Sequence, residues 1–212
     1  DGFVDVLYSY QGSKKEVYVR NKTTYCLLKE IVTAYGGKKN ITYRSSSYFN
    51  HTDGGFSLLG FSVPVVAATG LYNGLEDEFA VQGVVSYNYS LGKYNFENGE
   101  FRGFGQVDEF YTDRVVHHEF YQDDARRGVE NQVSVSDVNK TLYSLSKRIY
   151  NYSERGGVYN VSLLFVAEYL YDGQSTPFVT NTSYFYNRYG NYEYVVEHGD
   201  VNVSGDERYH NY

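Results

Sequence analysis

AVQGVVSYNYS at residues 80–90 and VSLLFVAEYLY at residues 161–171 decide the fold class of this 212-residue chain. Both runs are rich in valine and tyrosine, which favour the pleated surface of a β-sheet. Residues 93–104 contain Asn98-Gly99 between two aromatic-containing runs, and this dipeptide predicts a hairpin with a two-residue type I′ turn. Further turn signals separate the runs at Asp53-Gly54-Gly55 and Asp172-Gly173. The sequence therefore predicts a mainly β, antiparallel protein.

Two related segments divide the chain. NKTTYCLLKEI at residues 21–31 and NKTLYSLSKRI at residues 139–149 are identical at seven of eleven positions. This spacing, roughly 118 residues, is too long for the unit of a solenoid. We expect a duplication with a first β repeat at residues 1–114 and a shorter one at residues 115–212, packed as one unit. The expected architecture is an antiparallel β-sandwich or a partly open barrel.

One or two short helices are expected within the repeats. Four apolar side chains of the second repeat recur at helical spacing, namely Val138, Leu142, Leu145 and Ile149. Residues 24–35 resemble this segment, and a glycine pair follows each of the two, as is typical of a helix end. The shared pattern Tyr-x-Leu-x-Lys-x-Ile also alternates, so a strand is the alternative.

The most frequent motif is the N-glycosylation acceptor Asn-x-Ser/Thr. About two or three such sites are expected by chance in a chain of this composition. The sequence has nine, at Asn21, Asn40, Asn50, Asn88, Asn139, Asn151, Asn160, Asn181 and Asn202. This density predicts a glycan coat on a secreted, extracellular protein exposed at a cell surface.

The single cysteine, Cys26, excludes an internal disulfide. An intermolecular bridge or a reactive thiol is one interpretation. A small buried apolar side chain is the other, and Ser144 at the matching position of the second repeat favours it. We therefore expect Cys26 to be buried and dispensable.

Charge and hydropathy exclude two classes of partner. The net charge is −7 and the pI is near 5.2, which argues against nucleic acid or an anionic membrane as a partner. No apolar run approaches the 18 residues of a membrane-spanning helix. We expect neither nucleic-acid binding nor a transmembrane segment.

No catalytic signature is present, so we expect no enzymatic activity. The sequence lacks a nucleophile elbow, a phosphate-binding loop and zinc spacing. His117 and His118 are adjacent, and on a strand they point to opposite faces, so they cannot share a metal. Acidic runs such as Asp123-Asp124 lack the alternating spacing of a calcium loop. We expect no cofactor beyond covalent glycans, and calcium binding is unsupported by spacing.

Our leading functional hypothesis is a structural protein that forms an extracellular fibril, filament or matrix. The segment FVDVLYSY at residues 3–10 has the alternation of a strand, with one apolar face. Its assembly face would comprise Val4, Val6, Tyr8 and Tyr10. Such a strand could complete the open sheet of a neighbouring copy, and head-to-tail donation yields filaments. The expected partner is then the protein itself.

Two alternatives remain from other classes. A curved sheet covered by helices could carry an apolar ligand as a soluble β-barrel. The aromatic tract YFYNRYGNYEY at residues 184–194 could instead stack on sugars, which would make the chain a carbohydrate-binding or adhesive module with saccharides as partners.

Overall fold

The computed structural model describes the backbone of residues 6–9 and 15–18 and all of residues 27–75 and 82–212. Its strands, in chain order, are β1 (Val6–Ser9), β2 (Lys15–Tyr18), β3 (Glu30–Val32), β4 (Lys38–Ser45), β5 (Thr52–Asp53), β6 (Phe56–Ser57), β7 (Pro64–Tyr72), β8 (Gln82–Ser90), β9 (Tyr94–Asn95), β10 (Glu100–Phe101), β11 (Gln106–Phe110), β12 (Arg114–Phe120), β13 (Glu130–Asp137), β14 (Leu142–Arg155), β15 (Val158–Leu170), β16 (Phe178–Tyr186), β17 (Tyr192–Asp200) and β18 (Arg208–Asn211). A one-turn 3-10 helix, Ser46–Tyr48, is the only helix in these ranges.

One antiparallel sheet of 12 strands dominates the structure. Its order follows the chain, β3-β4-β7-β8-β11-β12-β13-β14-β15-β16-β17-β18, and each strand pairs with the next. Three small hairpins, β1-β2, β5-β6 and β9-β10, lie outside it. The predicted mainly β, antiparallel fold class is confirmed.

The predicted helix around residues 138–149 is wrong. Most of this segment lies in β14, which pairs with β13 on one side and β15 on the other. Gly156 and Gly157 do not end a helix. They have φ of 61° and 79° and form the two-residue turn between Arg155 and Val158, as a type I′ hairpin requires. The alternating pattern of side chains, not the helical one, therefore predicts the structure of this segment.

The predicted hairpin at residues 93–104 is confirmed, but its turn differs. β9 and β10 pair Asn95 with Glu100, which leaves four residues in the connection. The Asn95 side chain accepts hydrogen bonds from the backbone N–H groups of Glu97 and Asn98 at 2.9 and 3.2 Å. This side-chain cap stabilises a longer turn than the dipeptide alone predicts.

The duplication stays a prediction. The first copy of the repeated motif lies mostly outside the described residues, and so does Cys26. The predicted boundary at residue 114 falls at the start of β12, which pairs with β11 from the first half. One continuous sheet therefore joins the two predicted units.

Apolar side chains change face in the middle of the sheet. Cross-strand partners share a face, so the strand register defines rows of side chains. On the His117 face, one row contains Asn88, Asp108, His117, Ser134, Leu145, Tyr169 and Val179. On the His118 face, the adjacent row contains Tyr89, Val107, His118, Val133, Ser146, Glu168 and Thr180. The first row turns from polar to apolar between β13 and β14, and the second turns from largely apolar to polar.

Much apolar surface therefore remains uncovered. Among the described residues, large apolar side chains of the sheet that are at least half exposed include Leu71, Val84, Ile149, Leu170 and Phe178. The buried apolar side chains of the described residues are Leu59, Val65, Val85, Ala167, Val195 and Val196. The apolar parts of the two halves of the sheet lie on opposite faces, so each half requires its own covering protein.

Candidate functional site

The N-terminal strand pairs within its own chain. Backbone pairing joins Val6 to Tyr18 and Ser9 to Lys15 in the β1-β2 hairpin. Val4 and Tyr10, the outer members of the predicted assembly face, lie outside the described residues, and so do the side chains of Val6 and Tyr8. A hairpin partner already occupies one edge of the strand that donation would require to be free.

The glycosylation motifs lie mainly in turns and on exposed strand positions. Asn21 is outside the described residues. Asn88 and Asn181 are half-buried, and the exposed positions are Asn40, Asn50, Asn139, Asn151, Asn160 and Asn202. At Asn50 the motif forms a turn, because Asn50 Oδ1 accepts hydrogen bonds from both the N–H and the hydroxyl of Thr52, at 3.0 and 2.6 Å. Asn-x-Thr is here a local turn motif.

An ionic cluster surrounds His117 in the centre of the sheet. Its Nδ1 lies 2.5 Å from Asp108 and its Nε2 lies 3.3 Å from Glu119. Asn88 donates a hydrogen bond to the other Asp108 oxygen at 3.1 Å. Burial alone would lower the pKa of His117, but the hydrogen bonds to Asp108 and Glu119 outweigh it and raise the pKa above its ordinary value. The pair of carboxylates holds an imidazolium, with no ring nitrogen left for a metal.

A second cluster lies on the opposite face, as the adjacency of the two histidines predicts. His118 Nδ1 lies 2.6 Å from one Glu130 oxygen, and Arg148 pairs with the other. The His118 ring stacks on Phe120 with centroids 6.2 Å apart. Its Nε2 is buried and has no hydrogen-bond partner among the described residues, so no nucleophile accompanies this histidine–carboxylate pair.

Replacing His117 with glutamine is expected to reduce stability in a pH-dependent way. The folded-state pKa is raised, so the stabilisation is fully present below the unfolded pKa of about 6.5 and is lost as pH rises through the folded value. Charged hydrogen bonds of this kind contribute about 1–3 kcal/mol. Denaturant unfolding at pH 6 and pH 8.5 should show a larger loss at pH 6. An equal loss at both pH values would contradict the imidazolium assignment.

Sequence reasoning missed a serine–histidine pair. Ser183 Oγ lies 2.8 Å from His198 Nε2 across β16 and β17. Only the strand register brings these residues together, so no local motif could have revealed them. Among the described residues, no carboxylate hydrogen-bonds to His198, and a serine hydrolase requires such an orienting group. The pair fits cross-strand stabilisation better than catalysis.

A well-packed lobe stands off the sheet at residues 46–63 and 91–104, which we call the inserted lobe. His51 is 6% exposed and joins its two parts. Gly92 N–H donates to Nδ1 at 3.0 Å, so the ring proton is on Nε2, which donates to the Ser46 carbonyl at 2.8 Å. Nearby, the buried Arg102 guanidinium pairs with Asp124. His51 thus fixes the two parts of the lobe to each other, and Arg102 fixes the lobe to the loop after β12.

The acidic runs act within the chain. Asp123 accepts hydrogen bonds from the backbone of Ala125 and Arg126 and binds the Arg126 guanidinium. Burial would raise the pKa of Asp123, but the Arg126 hydrogen bonds outweigh it and lower the pKa. Within residues 27–75 and 82–212, no group of three or more potential ligands is arranged to hold a metal ion, and no helix there is long and apolar enough to cross a membrane.

Solved structures share the fold of this chain. The crystal structure of TcdB2-TccC3-Cdc42 matches with a TM-score of 0.66 and 14% sequence identity. The structure of the Photorhabdus luminescens Tc holotoxin pore matches at 15% identity with a TM-score of 0.67. Each match covers 81% of this chain and 12% of the other. The chain thus spans about 12% of the length of the chains that it resembles. No curated protein matches the sequence.

A family match contradicts the fibril hypothesis. The family model described as "Insecticide toxin TcdB middle/N-terminal region" matches residues 1–129. A toxin component is neither a fibril or filament subunit nor a structural glycoprotein, so those predictions are wrong. The predicted homopolymer is wrong too, because the similar structures contain TcdB2 with TccC3, a hetero-complex.

The extracellular location expected from the sequence agrees with an insecticide toxin. The match over residues 1–129 includes more than half of the 212 residues. The chain belongs to the insecticide toxin TcdB middle/N-terminal region family.

Proposed function

We propose that this chain is a β-sheet segment of a longer insecticidal toxin component and that it acts through assembly, not catalysis. The family match carries the proposal. The uncovered sheet supports it, because two apolar patches on opposite faces need protein that the described residues do not supply. Exposed apolar surface of this extent is typical of interaction sites.

The proposed partner is a second toxin chain. TcdB2 occurs with TccC3 in the similar structures, and by analogy the component that contains this chain would assemble with a TccC3-like chain.

A non-enzymatic role is supported by the surroundings of the two adjacent histidines. Carboxylates occupy both nitrogens of His117, and nothing among the described residues accompanies His118 Nε2. We propose no cofactor for this segment. For the assembled toxin, we propose the surface of a target cell as the place of action.

Co-purification and insect killing test this function. The full-length component should form a complex with its TccC3-like chain on size exclusion and should kill insect larvae. Ala167→Asp places a charge in the middle of the sheet, where Ala167 is buried. Burying an unpaired charge is costly, so this variant should lose at least tenfold in complex yield and killing. Glu154→Gln, at an exposed end of β14, is the control. Failure of the wild-type component to assemble would contradict the proposal.

A further inference from the structure

Four aromatic rings form a continuous surface on the inserted lobe, which we call the aromatic cluster. Phe61 lies 4.9 Å from Tyr94 and 6.0 Å from Phe101, centroid to centroid, and Tyr94 lies 5.0 Å from Phe96. The Phe96 ring lies so close to Gly60 that a Cβ there would come within 2.7 Å of it. Even so, Phe96 is 71% exposed.

The cluster is rigidly supported from beneath. Phe101 packs on Phe104 with centroids 5.5 Å apart, and Phe104 packs on the buried His51 ring at 5.4 Å. Because the His51 hydrogen bonds fix this base, the exposed rings are pre-organised. Pre-organised aromatic side chains lose little entropy on binding and are enriched at protein interfaces.

A polar cleft adjoins the cluster. It has a volume of about 400 Å³. Its lining includes Ser47, Asn50, Thr52, Ser62 and Phe61. Hydroxyl and amide groups beside an aromatic edge suit a side chain with several donors.

A negative charge without an ion-pair partner among the described residues lies beside the aromatic cluster. Glu97 follows Phe96 in the β9-β10 turn and is exposed, and its carboxylate makes no ion pair within the described residues. By contrast, Glu100 pairs with Arg102 and Arg127. With a chain net charge of −7, this surface favours a basic partner.

We propose that the aromatic cluster docks a segment of the same toxin component outside residues 1–212, which presents an apolar side chain together with a lysine or arginine. This inference rests on the proposed function, and it names a surface that the function alone does not require. The similar chains are about eight times longer than the matched segment. A tethered segment binds at high effective concentration, which favours an occupant from the same polypeptide over a second chain.

Photo-crosslinking from the cluster identifies the occupant. In the full-length component, Phe96→p-benzoylphenylalanine should crosslink within the same polypeptide, to a peptide outside residues 1–212 that contains lysine or arginine. Tyr189→p-benzoylphenylalanine is the matched control, because Tyr189 is 73% exposed in the turn between β16 and β17. A crosslink to the TccC3-like chain, or a yield no higher than that of the control, would overturn the proposal.

Two substitutions test the apolar and the ionic contributions to docking at the aromatic cluster. Phe96→Asp and Glu97→Lys should each lower the Tm of the full-length component by several degrees, because each disrupts docking. Both positions are exposed, so neither substitution disturbs a buried site within the chain itself. Tyr189→Asp should leave the Tm unchanged. Unchanged Tm values for both cluster variants would contradict docking at this surface. Wild-type assembly with the TccC3-like chain is measured separately, so failure of this inference is distinguishable from failure of the proposed function.

Discussion

Replacing His51 with alanine is expected to destabilise the protein more than any other substitution of a polar side chain considered for this chain. The variant leaves the Gly92 N–H buried without a partner and removes one of the two hydrogen bonds to the Ser46 carbonyl, which still accepts from the Phe49 N–H at 3.0 Å. The unsatisfied N–H costs about 1–3 kcal/mol and the lost hydrogen bond about 0.5–1.5 kcal/mol, so we expect a loss of about 3 kcal/mol in the free energy of unfolding. The packing between His51 and Phe104 is lost as well.

Chemical denaturation measures this effect, with His210→Ala as the control. His210 is exposed at the sheet edge and pairs with Glu197 at 3.4 Å, and such exposed pairs contribute about 0–1 kcal/mol. A loss for His51→Ala no larger than for His210→Ala would refute the assigned hydrogen bonds.

Gly74→Ala is expected to have an effect of similar size for a backbone reason. Gly74 has φ of 79°, and a Cβ there would overlap the Gly36 carbonyl. The left-handed conformation costs about 1–2 kcal/mol for a residue with a side chain. The overlap is with main chain, which cannot move aside as a flexible side chain can, and such overpacking adds about 1–3 kcal/mol.

Gly103→Ala separates these two contributions. Gly103 has nearly the same φ, 81°, and a Cβ there would meet nothing within 4 Å. Thermal or denaturant unfolding should therefore show the conformational cost alone for Gly103→Ala and a clearly larger loss for Gly74→Ala. Equal losses would mean that the two loops do not approach as closely as described.

The fold class could be predicted from the sequence because alternation and turn residues act locally. The segment that we expected to be helical shows the limit of that reasoning. Leu145 and Ile149 satisfy both a helical and an extended period, and only pairing with β13 and β15 selects the strand. The number of strands in the sheet could not be predicted either, because neither face of the sheet is apolar on all of its strands.

The function could not be predicted from the sequence for a related reason. Asn-x-Ser/Thr serves glycosylation and also serves local turns, as Asn50 and Thr52 show. The side chains that distinguish this surface, such as Phe61 and Phe96, are brought together by two separate insertions. No spacing in the sequence marks such a cluster.

Hydroxyl-radical footprinting of the full-length toxin component tests the central claim, that protein outside this chain covers its open sheet. Ile149 lies on the His117 face of the second half of the sheet, and Leu71 lies on the His118 face of the first half. They are 52% and 50% exposed when the chain stands alone. We predict that both are oxidised at least tenfold more slowly than Tyr189, after correction for the intrinsic reactivity of each residue type. Oxidation of Ile149 and Leu71 at the rate of free side chains would contradict the claim.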